Sequence, residues 1–235
     1  EKHHIISAAS CTTTGLAHMV KPLLEDEETK RVLTASMTTV HAATNTQSVL
    51  DSVPATGTSD LRKNRSVLNN IILSSTGAAK TLERVIPQAT SFGFMADSIR
   101  IPTPTVSLIS LNITFTSRLN ELSMPFINAQ YIKDIYKTAA AGAQKNLLYF
   151  SDLQNVSTDL MGLNAAVIIE GNELHTRTGF LQLHPETLLQ AGIKEANAVN
   201  LPVTHAKILG WYDNEYGSYV YCLGQLAEFV DSQIN

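Results

Sequence analysis

The chain has 235 residues, of which 44% are hydrophobic and 16% are charged, and its formal net charge is -4. This composition supports a packed core and excludes an intrinsically disordered chain. The acidic balance argues against a nucleic-acid partner, and no apolar run approaches the roughly 20 residues that span a bilayer. We therefore expect one domain over residues 1–235, with neither nucleic acid nor membrane as a partner.

The two cysteines, Cys11 and Cys222, do not make a disulfide framework. A reducing cytoplasm is the expected compartment, and at least one thiol is then free for chemistry. Residues 1–4 contain neither an initiator Met nor the start of a signal peptide. We therefore interpret the N-terminus as a cut rather than a natural start.

The predicted elements are those of an α+β domain. Ile5 and Ile6 are interpreted as the end of a strand, and residues 10–25 as a helix that Ser10 can cap and that Pro22 kinks or ends. Strands are predicted over 32–40, 98–101, 106–115, 159–169 and 205–211. Residues 51–72 are predicted to form an irregular loop. Further helices are predicted over 77–86, 131–144 and about 219–234, where the last closes the domain.

These elements predict a mixed, largely antiparallel sheet covered by helices. No G-x-G-x-x-G segment follows a first strand, so the sequence contains no recognisable dinucleotide-binding (Rossmann) domain. We also expect no metal site.

Cys11 is the first candidate for chemistry because it falls where the first helix is predicted to begin. Unpaired N–H groups and the helix dipole favour a thiolate at such a position. The hydroxyls of Ser10, Thr12 and Thr13 flank it and can hydrogen-bond an anion. On spacing alone, an inert buried cysteine beside a capping serine fits at least as well.

His41 follows the apolar strand 32–40. A histidine at that point is either a satisfied core residue or a base near a cleft, and alone the core interpretation is favoured. A cysteine and a histidine that are distant in sequence can nevertheless pair in space, and such a pair makes a nucleophile.

Three other segments carry polar groups in suggestive places. Residues 74–80 place hydroxyls and Gly77 before a helix, which is typical of an anion nest or of a plain helix cap. Arg100 is a lone charge on an apolar strand, where a guanidinium meets a carboxylate or a ligand phosphate. Residues 211–217 form either an aromatic and polar site or a turn anchored by two aromatic residues.

Together and in this order, these segments resemble the glyceraldehyde-3-phosphate dehydrogenase family. The matching segments are residues 9–13, 38–42, 44–47, 75–80, 100–104 and 211–215. The resemblance covers nearly the whole chain, but only the second, catalytic domain of the family with its C-terminal helix. It implies that the NAD-binding domain is not part of this sequence.

The resemblance implies a covalent mechanism. Cys11 would attack the aldehyde of a sugar phosphate to give a thiohemiacetal, with its backbone N–H stabilising the oxyanion. His41 would take the thiol proton and assist hydride loss to NAD as a base. Inorganic phosphate would then attack the thioester on Cys11 and release an acyl phosphate.

The resemblance also implies the binding residues. Thr44 and Arg100 would hold the phosphate of the substrate, and Asn214 would contact the nicotinamide carboxamide of the cofactor. The attacking phosphate would be held by Ser10, Thr12, Thr76 and Gly77. Lys63 stands in the basic loop where the family often has arginine, so the charge stays but the bidentate geometry is lost. The family further implies a cytoplasmic homo-oligomer, a tetramer in the full-length protein, and leaves NADP open as the cofactor.

Several positions depart from the family pattern. Asparagine is usual at Ala8 and Thr14, proline at Leu73 and tyrosine at Ser218. The chain also carries extra residues between about 169 and 205, which we interpret as an added hairpin or helix at a subunit contact or over the cofactor cleft. Two alternatives to the triose phosphate enzyme stay open. One is an erythrose-4-phosphate dehydrogenase, and the other is a catalytically weak relative that binds nucleotide or partner proteins.

Overall fold

The structure, a computed structural model, describes residues 5–6 and 10–234. Residues 1–4 and Ala8, to which two of the expectations refer, lie outside the described part. The helices are α1 (Cys11–Glu25), α2 (Ala78–Val85), α3 (Ala129–Ala141), α4 (Pro185–Gln190) and α5 (Ser218–Ile234). The strands are β1 (Val32–His41), β2 (Ile72–Ser75), β3 (Gly93–Arg100), β4 (Ser107–Thr116), β5 (Leu148–Ser151), β6 (Val167–Glu170), β7 (His175–Leu183) and β8 (Val199–Tyr212).

All eight strands join one sheet in the order β2-β3-β1-β4-β8-β6-β5, and β7 also pairs with β8. Two pairs, β1 with β3 and β5 with β6, are parallel, and the other pairs are antiparallel. The predicted α+β class, with a mixed and largely antiparallel sheet covered by helices, is therefore confirmed.

The core lies between this sheet and helix α1. On β4 the side chains of Ile109, Leu111, Ile113 and Phe115 alternate with half-buried ones and are fully buried. The facing residues of α1 are equally buried: Leu16, Met19, Val20 and Leu23. Each such side chain contributes about 1.5–3 kcal/mol by leaving water, so packing fixes α1 on the sheet.

The first helix begins as predicted. Ser10 has extended backbone angles, and its Oγ accepts hydrogen bonds from the backbone N–H and the hydroxyl of Thr13. These bonds satisfy donors that a helix N-terminus leaves free. Pro22 lies in the last turn, and the helix ends three residues later at Glu25. Cys11 is thus the first residue of a capped helix.

Other expectations need correction. Ile5 and Ile6 lie outside every strand, and Ile5 is 90% exposed, so this pair does not end a strand. Residues 159–169 do not form one strand, because Ser157–Leu160 is a 3-10 helix and β6 begins only at Val167. Strand β3 begins at Gly93 and includes Asp97, so Arg100 is not its only charge.

Three strands were not predicted. Strands β2 and β5 have four residues each, too few to show an alternating pattern, and β7 is largely exposed on both faces. In the predicted loop 51–72, Leu61–Asn64 forms a 3-10 helix. Local sequence patterns are weakest where an element is short or lacks a buried face.

The residues between 169 and 205, which we interpret as extra, contain one strand of a hairpin and a helix. Strand β7 pairs with residues 199–207 of β8, and the short helix α4 lies in the connection. Val199 lies roughly 40 Å along β8 from Tyr212, at about 3.3 Å per residue. The tip of the hairpin is therefore at the opposite end of β8 from residues 211–215.

A close backbone approach makes Gly217, just before α5, sensitive to substitution. A Cβ there would overlap Leu163 O and lie 3.0 Å from Leu163 N. We expect Gly217→Ala to lower the free energy of unfolding by about 1–3 kcal/mol, measured by urea denaturation. Gly224 in α5 has no atom within 4 Å of an added Cβ, so the control Gly224→Ala should be stabilising by about 0.5–1 kcal/mol. Equal effects of the two substitutions would contradict the prediction.

Candidate active site

The topology brings five chain segments together at one edge of the sheet. Because β1 and β3 are parallel, their last residues, His41 and Arg100, are direct register partners. Because β4 runs antiparallel to β8, its first residue, Ser107, pairs with Tyr212 at the end of β8. The start of α1 lies over the same edge, which adds Cys11.

Cys11, His41 and Asn214 form the centre of the site. The Sγ atom of Cys11 lies 3.8 Å from Nε2 of His41. Asn214 Nδ2 lies 3.7 Å from the same Sγ and 3.2 Å from the same Nε2. The sequence named all three residues, and the structure brings them into mutual contact. A thiol beside a basic nitrogen and an amide donor is an arrangement suited to nucleophilic chemistry.

Tyr212 connects helix α1 to strand β1 beneath this centre. Its hydroxyl oxygen lies 2.8 Å from Thr12 Oγ1 and 2.7 Å from Thr39 Oγ1. Its ring meets the imidazole of His41 edge-on, with centroids 6.0 Å apart. Burial, with a smaller contribution from the nearby Cys11, raises the pKa of Tyr212 to about 12, so the phenol stays neutral. Tyr212 therefore holds Thr12 of α1 and Thr39 of β1 together, and with them the neighbouring Cys11 and His41.

The imidazole of His41 is neutral at physiological pH. Its side chain is buried, and burial lowers the pKa of His41 to about 4. A hydrogen bond to the Ala42 carbonyl, 2.8 Å from Nδ1, opposes this shift in pKa, whereas the charge of Arg100 adds to it. A neutral imidazole beside a thiol can accept a proton.

Arg100 places a positive charge next to the base. Its Nη1 lies 2.6 Å from His41 Nδ1, 3.3 Å from the Ala42 carbonyl oxygen and 3.4 Å from Thr44 Oγ1. Its buried Nε has no hydrogen-bond partner in the described part of the chain. A guanidinium with a free donor beside a threonine hydroxyl suits an anionic group.

A tight turn over residues 213–218 holds Asn214 in place. The buried carboxylate of Asp213 accepts four hydrogen bonds of 2.8–3.1 Å, from Thr105 Oγ1 and from the backbone N–H groups of Gly162, Glu215 and Tyr216. Burial acts to raise the pKa of Asp213, but these bonds outweigh it and lower the pKa. Ser218, where the family has tyrosine, accepts a bond from the Asp213 N–H at 2.9 Å.

The other predicted binding residues are not joined to this centre. Ser10 caps α1, and the hydroxyl of Thr12 is taken up by Tyr212. Thr76 Oγ1 accepts from the Ala78 N–H at the start of α2, which packs against α1. Lys63 and Gly77 are exposed, and no hydrogen bond or ion pair in the described residues links them to Cys11 or His41. Phosphate binding by these residues stays a prediction.

Sequence patterns did not single out Tyr212, Thr39, Ser107 or Asp213. The one available signal is the alternation of β1, which puts Thr39 on the same face as His41. Over residues 5–6 and 10–234, no group of three or more His, Cys, Asp or Glu side chains could hold a metal ion. In the same residues no helix is long and apolar enough to cross a membrane.

Comparison with known proteins finds the family that the sequence segments resemble. The family model for the glyceraldehyde 3-phosphate dehydrogenase C-terminal domain matches residues 10–183. Glyceraldehyde-3-phosphate dehydrogenase 1 of Streptomyces arenae is 32% identical over 234 residues, which cover 100% of this chain and 57% of that relative. The corresponding enzyme 1 of Bacillus cereus is 33% identical, covering 98% and 57%, and the enzyme of Sclerotinia sclerotiorum is 34% identical, covering 91% and 52%.

The chain therefore belongs to the glyceraldehyde 3-phosphate dehydrogenase C-terminal domain family. It spans little more than half the length of these curated relatives.

The buried imidazole predicts a pH-dependent stability. In the unfolded chain His41 takes up a proton near its ordinary pKa of 6.5, whereas in the folded chain it stays neutral down to about pH 4. The contribution of His41 to the free energy of unfolding is thus fully present above pH 6.5. As the pH falls toward 4, up to about 3 kcal/mol of this stability is lost. We expect His41→Asn to remove this part of the pH dependence in urea denaturation.

The exposed His175 of β7 offers a matched control. His175→Asn should leave the difference in unfolding free energy between pH 7 and pH 4.5 as in the wild type. A wild-type difference that His41→Asn leaves unchanged would show that His41 does not resist protonation in the fold.

Proposed function

We propose that residues 1–235 are the catalytic domain of a phosphorylating, NAD-dependent glyceraldehyde-3-phosphate dehydrogenase. The observation that carries the proposal is the contact of Cys11 Sγ with His41 Nε2, with Arg100 and Thr44 on the other side of the same imidazole. A nucleophile (Cys11), a base (His41) and an anion-binding pair (Arg100 and Thr44) thus lie next to one another around the His41 ring. This combination suits an aldehyde that carries a phosphate group.

In the first step, Cys11 would give its proton to His41 and attack the carbonyl carbon to form a thiohemiacetal. The low pKa of His41, caused mainly by burial and in smaller part by the charge of Arg100, opposes this transfer. A substrate phosphate held by Arg100 and Thr44 would offset that positive charge. Binding of the correct substrate would therefore raise the pKa of His41 and favour proton transfer.

The carbonyl oxygen gains negative charge during attack. The N–H of Cys11 belongs to the first turn of α1, where backbone donors have no intrahelical partner. That N–H would stabilise the developing oxyanion. His41 would pass the proton it took from Cys11 to this oxygen, which completes the thiohemiacetal. Neutral again, His41 would take the hydroxyl proton back as a base while the thiohemiacetal is oxidised to a thioester on Cys11.

The residues present fit the carboxamide of a nicotinamide. Asn214 presents Nδ2, a donor, toward Cys11, and its turn is fixed by the hydrogen bonds of Asp213. When bound, NAD would supply the hydride acceptor for the oxidation, and NADP is compatible with the same amide. The part of Asn214 is to orient the nicotinamide ring against Cys11.

The attacking inorganic phosphate would be held beside Cys11 by groups at the starts of α1 and α2. These groups are Ser10, Thr12, Thr76 and Gly77, with Lys63 supplying charge from the neighbouring loop. Support comes from the packing of α2 against α1, because each helix begins with backbone N–H groups that can bind an anion. Attack on the thioester would release the acyl phosphate and free Cys11.

We further infer a cytoplasmic homo-oligomer, tetrameric in the full-length protein. The face of the sheet away from the helices carries half-buried side chains such as Ser36, Thr38, Ser110 and Asn112. Val220 and Phe229 of α5 are 51% and 61% exposed, which leaves apolar surface for further contacts. Both features support association with other copies or domains.

The test is an assay of NAD reduction by the full-length protein with glyceraldehyde 3-phosphate, with and without inorganic phosphate. We expect phosphate-stimulated activity that Cys11→Ser lowers by roughly 10³-fold or more, because a serine hydroxyl is a much weaker nucleophile than a thiolate. Cys222→Ser is the matched control and should keep the activity. Residues 1–235 alone should not reduce NAD.

The same assay with erythrose 4-phosphate distinguishes the two substrates. A higher kcat/KM for erythrose 4-phosphate than for glyceraldehyde 3-phosphate would make the tetrose phosphate the proposed substrate. A folded protein that binds NAD but oxidises neither sugar phosphate would contradict an enzymatic function. It would favour a catalytically weak relative that binds nucleotide.

A further inference from the structure

We propose that Gln47 is a positioning residue that holds Thr44 against Arg100 and thereby gives the site its preference for an aldehyde that carries a phosphate group. The inference rests on the proposed function, in which Thr44 and Arg100 bind the substrate phosphate. Gln47 lies in the turn that follows β1, three residues beyond Thr44. It acts through Thr44 and does not touch the reacting atoms.

Gln47 closes this turn with two hydrogen bonds whose directions are certain. The backbone N–H of Gln47 donates to the carbonyl oxygen of Thr44 over 3.0 Å. In return, the backbone N–H of Thr44 donates to Oε1 of the Gln47 side chain over 2.9 Å. Because a backbone N–H only donates, Oε1 must be the atom that faces it, which also sets the orientation of the Gln47 amide. The side chain of Gln47 therefore holds the backbone of Thr44 in place.

Thr44 needs this support because β1 ends at His41, so the sheet no longer holds the chain at Thr44. On the N-terminal side, the N–H of Ala43 donates to the carbonyl oxygen of Thr103 over 2.9 Å, which ties the chain to the loop after β3. On the C-terminal side, the two bonds with Gln47 are the tie. Loss of the Gln47 amide would leave the Thr44 N–H without its acceptor and free the turn to reorient.

The hydroxyl of Thr44 keeps the rotational freedom that binding of a phosphate requires. Arg100 Nη1, which only donates, lies 3.4 Å from Thr44 Oγ1, so the hydroxyl accepts there and its own hydrogen points elsewhere. The acceptors within reach of that hydrogen are Thr46 Oγ1 at 3.1 Å and Gln47 Oε1 at 3.4 Å. A phosphate oxygen is a stronger acceptor than either. A substrate phosphate beside Arg100 would therefore take the hydrogen while the backbone of Thr44 stays in place.

Gln47 takes no part in the chemistry at Cys11. In the described part of the chain, no hydrogen bond or ion pair links the Gln47 side chain to Cys11 or His41. An aldehyde without a phosphate gains nothing from the turn that Gln47 closes, so its oxidation should not depend on Gln47. The preorganised turn therefore favours only the phosphorylated substrate, which makes Gln47 a determinant of specificity.

The test compares glyceraldehyde 3-phosphate with unphosphorylated glyceraldehyde as substrates of the full-length protein. Gln47→Met keeps the length of the side chain but replaces the amide acceptor by a thioether, which is a much weaker acceptor. We expect kcat/KM for glyceraldehyde 3-phosphate to fall by roughly fivefold to thirtyfold through a higher KM, with kcat little changed. The value of kcat/KM for glyceraldehyde should stay within about twofold of the wild-type value.

Gln182→Met, on the exposed strand β7, is the matched control and should leave kcat/KM for both substrates unchanged. If Gln47→Met does not fold, Gln47→Asn keeps the amide but is one methylene too short to reach the Thr44 N–H, and the same changes are expected. Equal losses for the two substrates, or no loss for either, in the folded variant would overturn the inference.

Binding measured without turnover separates this inference from the proposed function. Glycerol 3-phosphate carries the phosphate but no aldehyde. Isothermal titration calorimetry with the full-length protein should show that Gln47→Met raises the Kd of glycerol 3-phosphate by roughly fivefold to thirtyfold. An inactive wild type that shows this difference would reject the proposed reaction and keep the role of Gln47. An active wild type in which Gln47→Met changes neither the Kd nor the substrate preference would reject only the role of Gln47.

Discussion

The hydroxyl of Tyr212 between Thr12 and Thr39 is the contact on which the site depends. It joins the first turn of α1, the inward face of β1 and the end of β8 in a buried position. Because Cys11 precedes Thr12 and His41 lies two residues beyond Thr39 on the same face, this contact sets the separation of thiol and imidazole. Removing the phenol oxygen would leave two buried hydroxyls unpaired and free α1 to shift.

The parallel pairing of β1 with β3, in an otherwise antiparallel part of the sheet, is the second constraint on the site. It lets β1 and β3 end side by side, which puts Arg100 against His41. The same charge that suits a substrate phosphate also lowers the pKa of the imidazole. In the proposed mechanism, a ligand at Arg100 and the basicity of His41 are therefore coupled.

The sequence predicted the reactive residues better than the residues that hold them in place. Cys11 and His41 could be predicted because their segments resemble a family. The local sequence pattern also predicts where the helix that begins at Cys11 starts and where the strand before His41 ends. Ser107 and Tyr212 did not stand out, because their partners lie 65 or more positions away along the chain. Contacts of that range follow from the register of strands, which a single sequence does not reveal. The short strand β2 was missed because four residues carry no readable period.

The most direct test of the account compares the alkylation rates of the two cysteines by iodoacetamide at pH 7, mapped by mass spectrometry in the folded full-length protein. Cys11 lies at a helix N-terminus beside His41 and the Asn214 amide, whereas burial raises the pKa of Cys222 to about 11. The account predicts that Cys11 reacts faster by about tenfold or more. Equal rates, or faster reaction at Cys222, would contradict the claim that the fold activates Cys11.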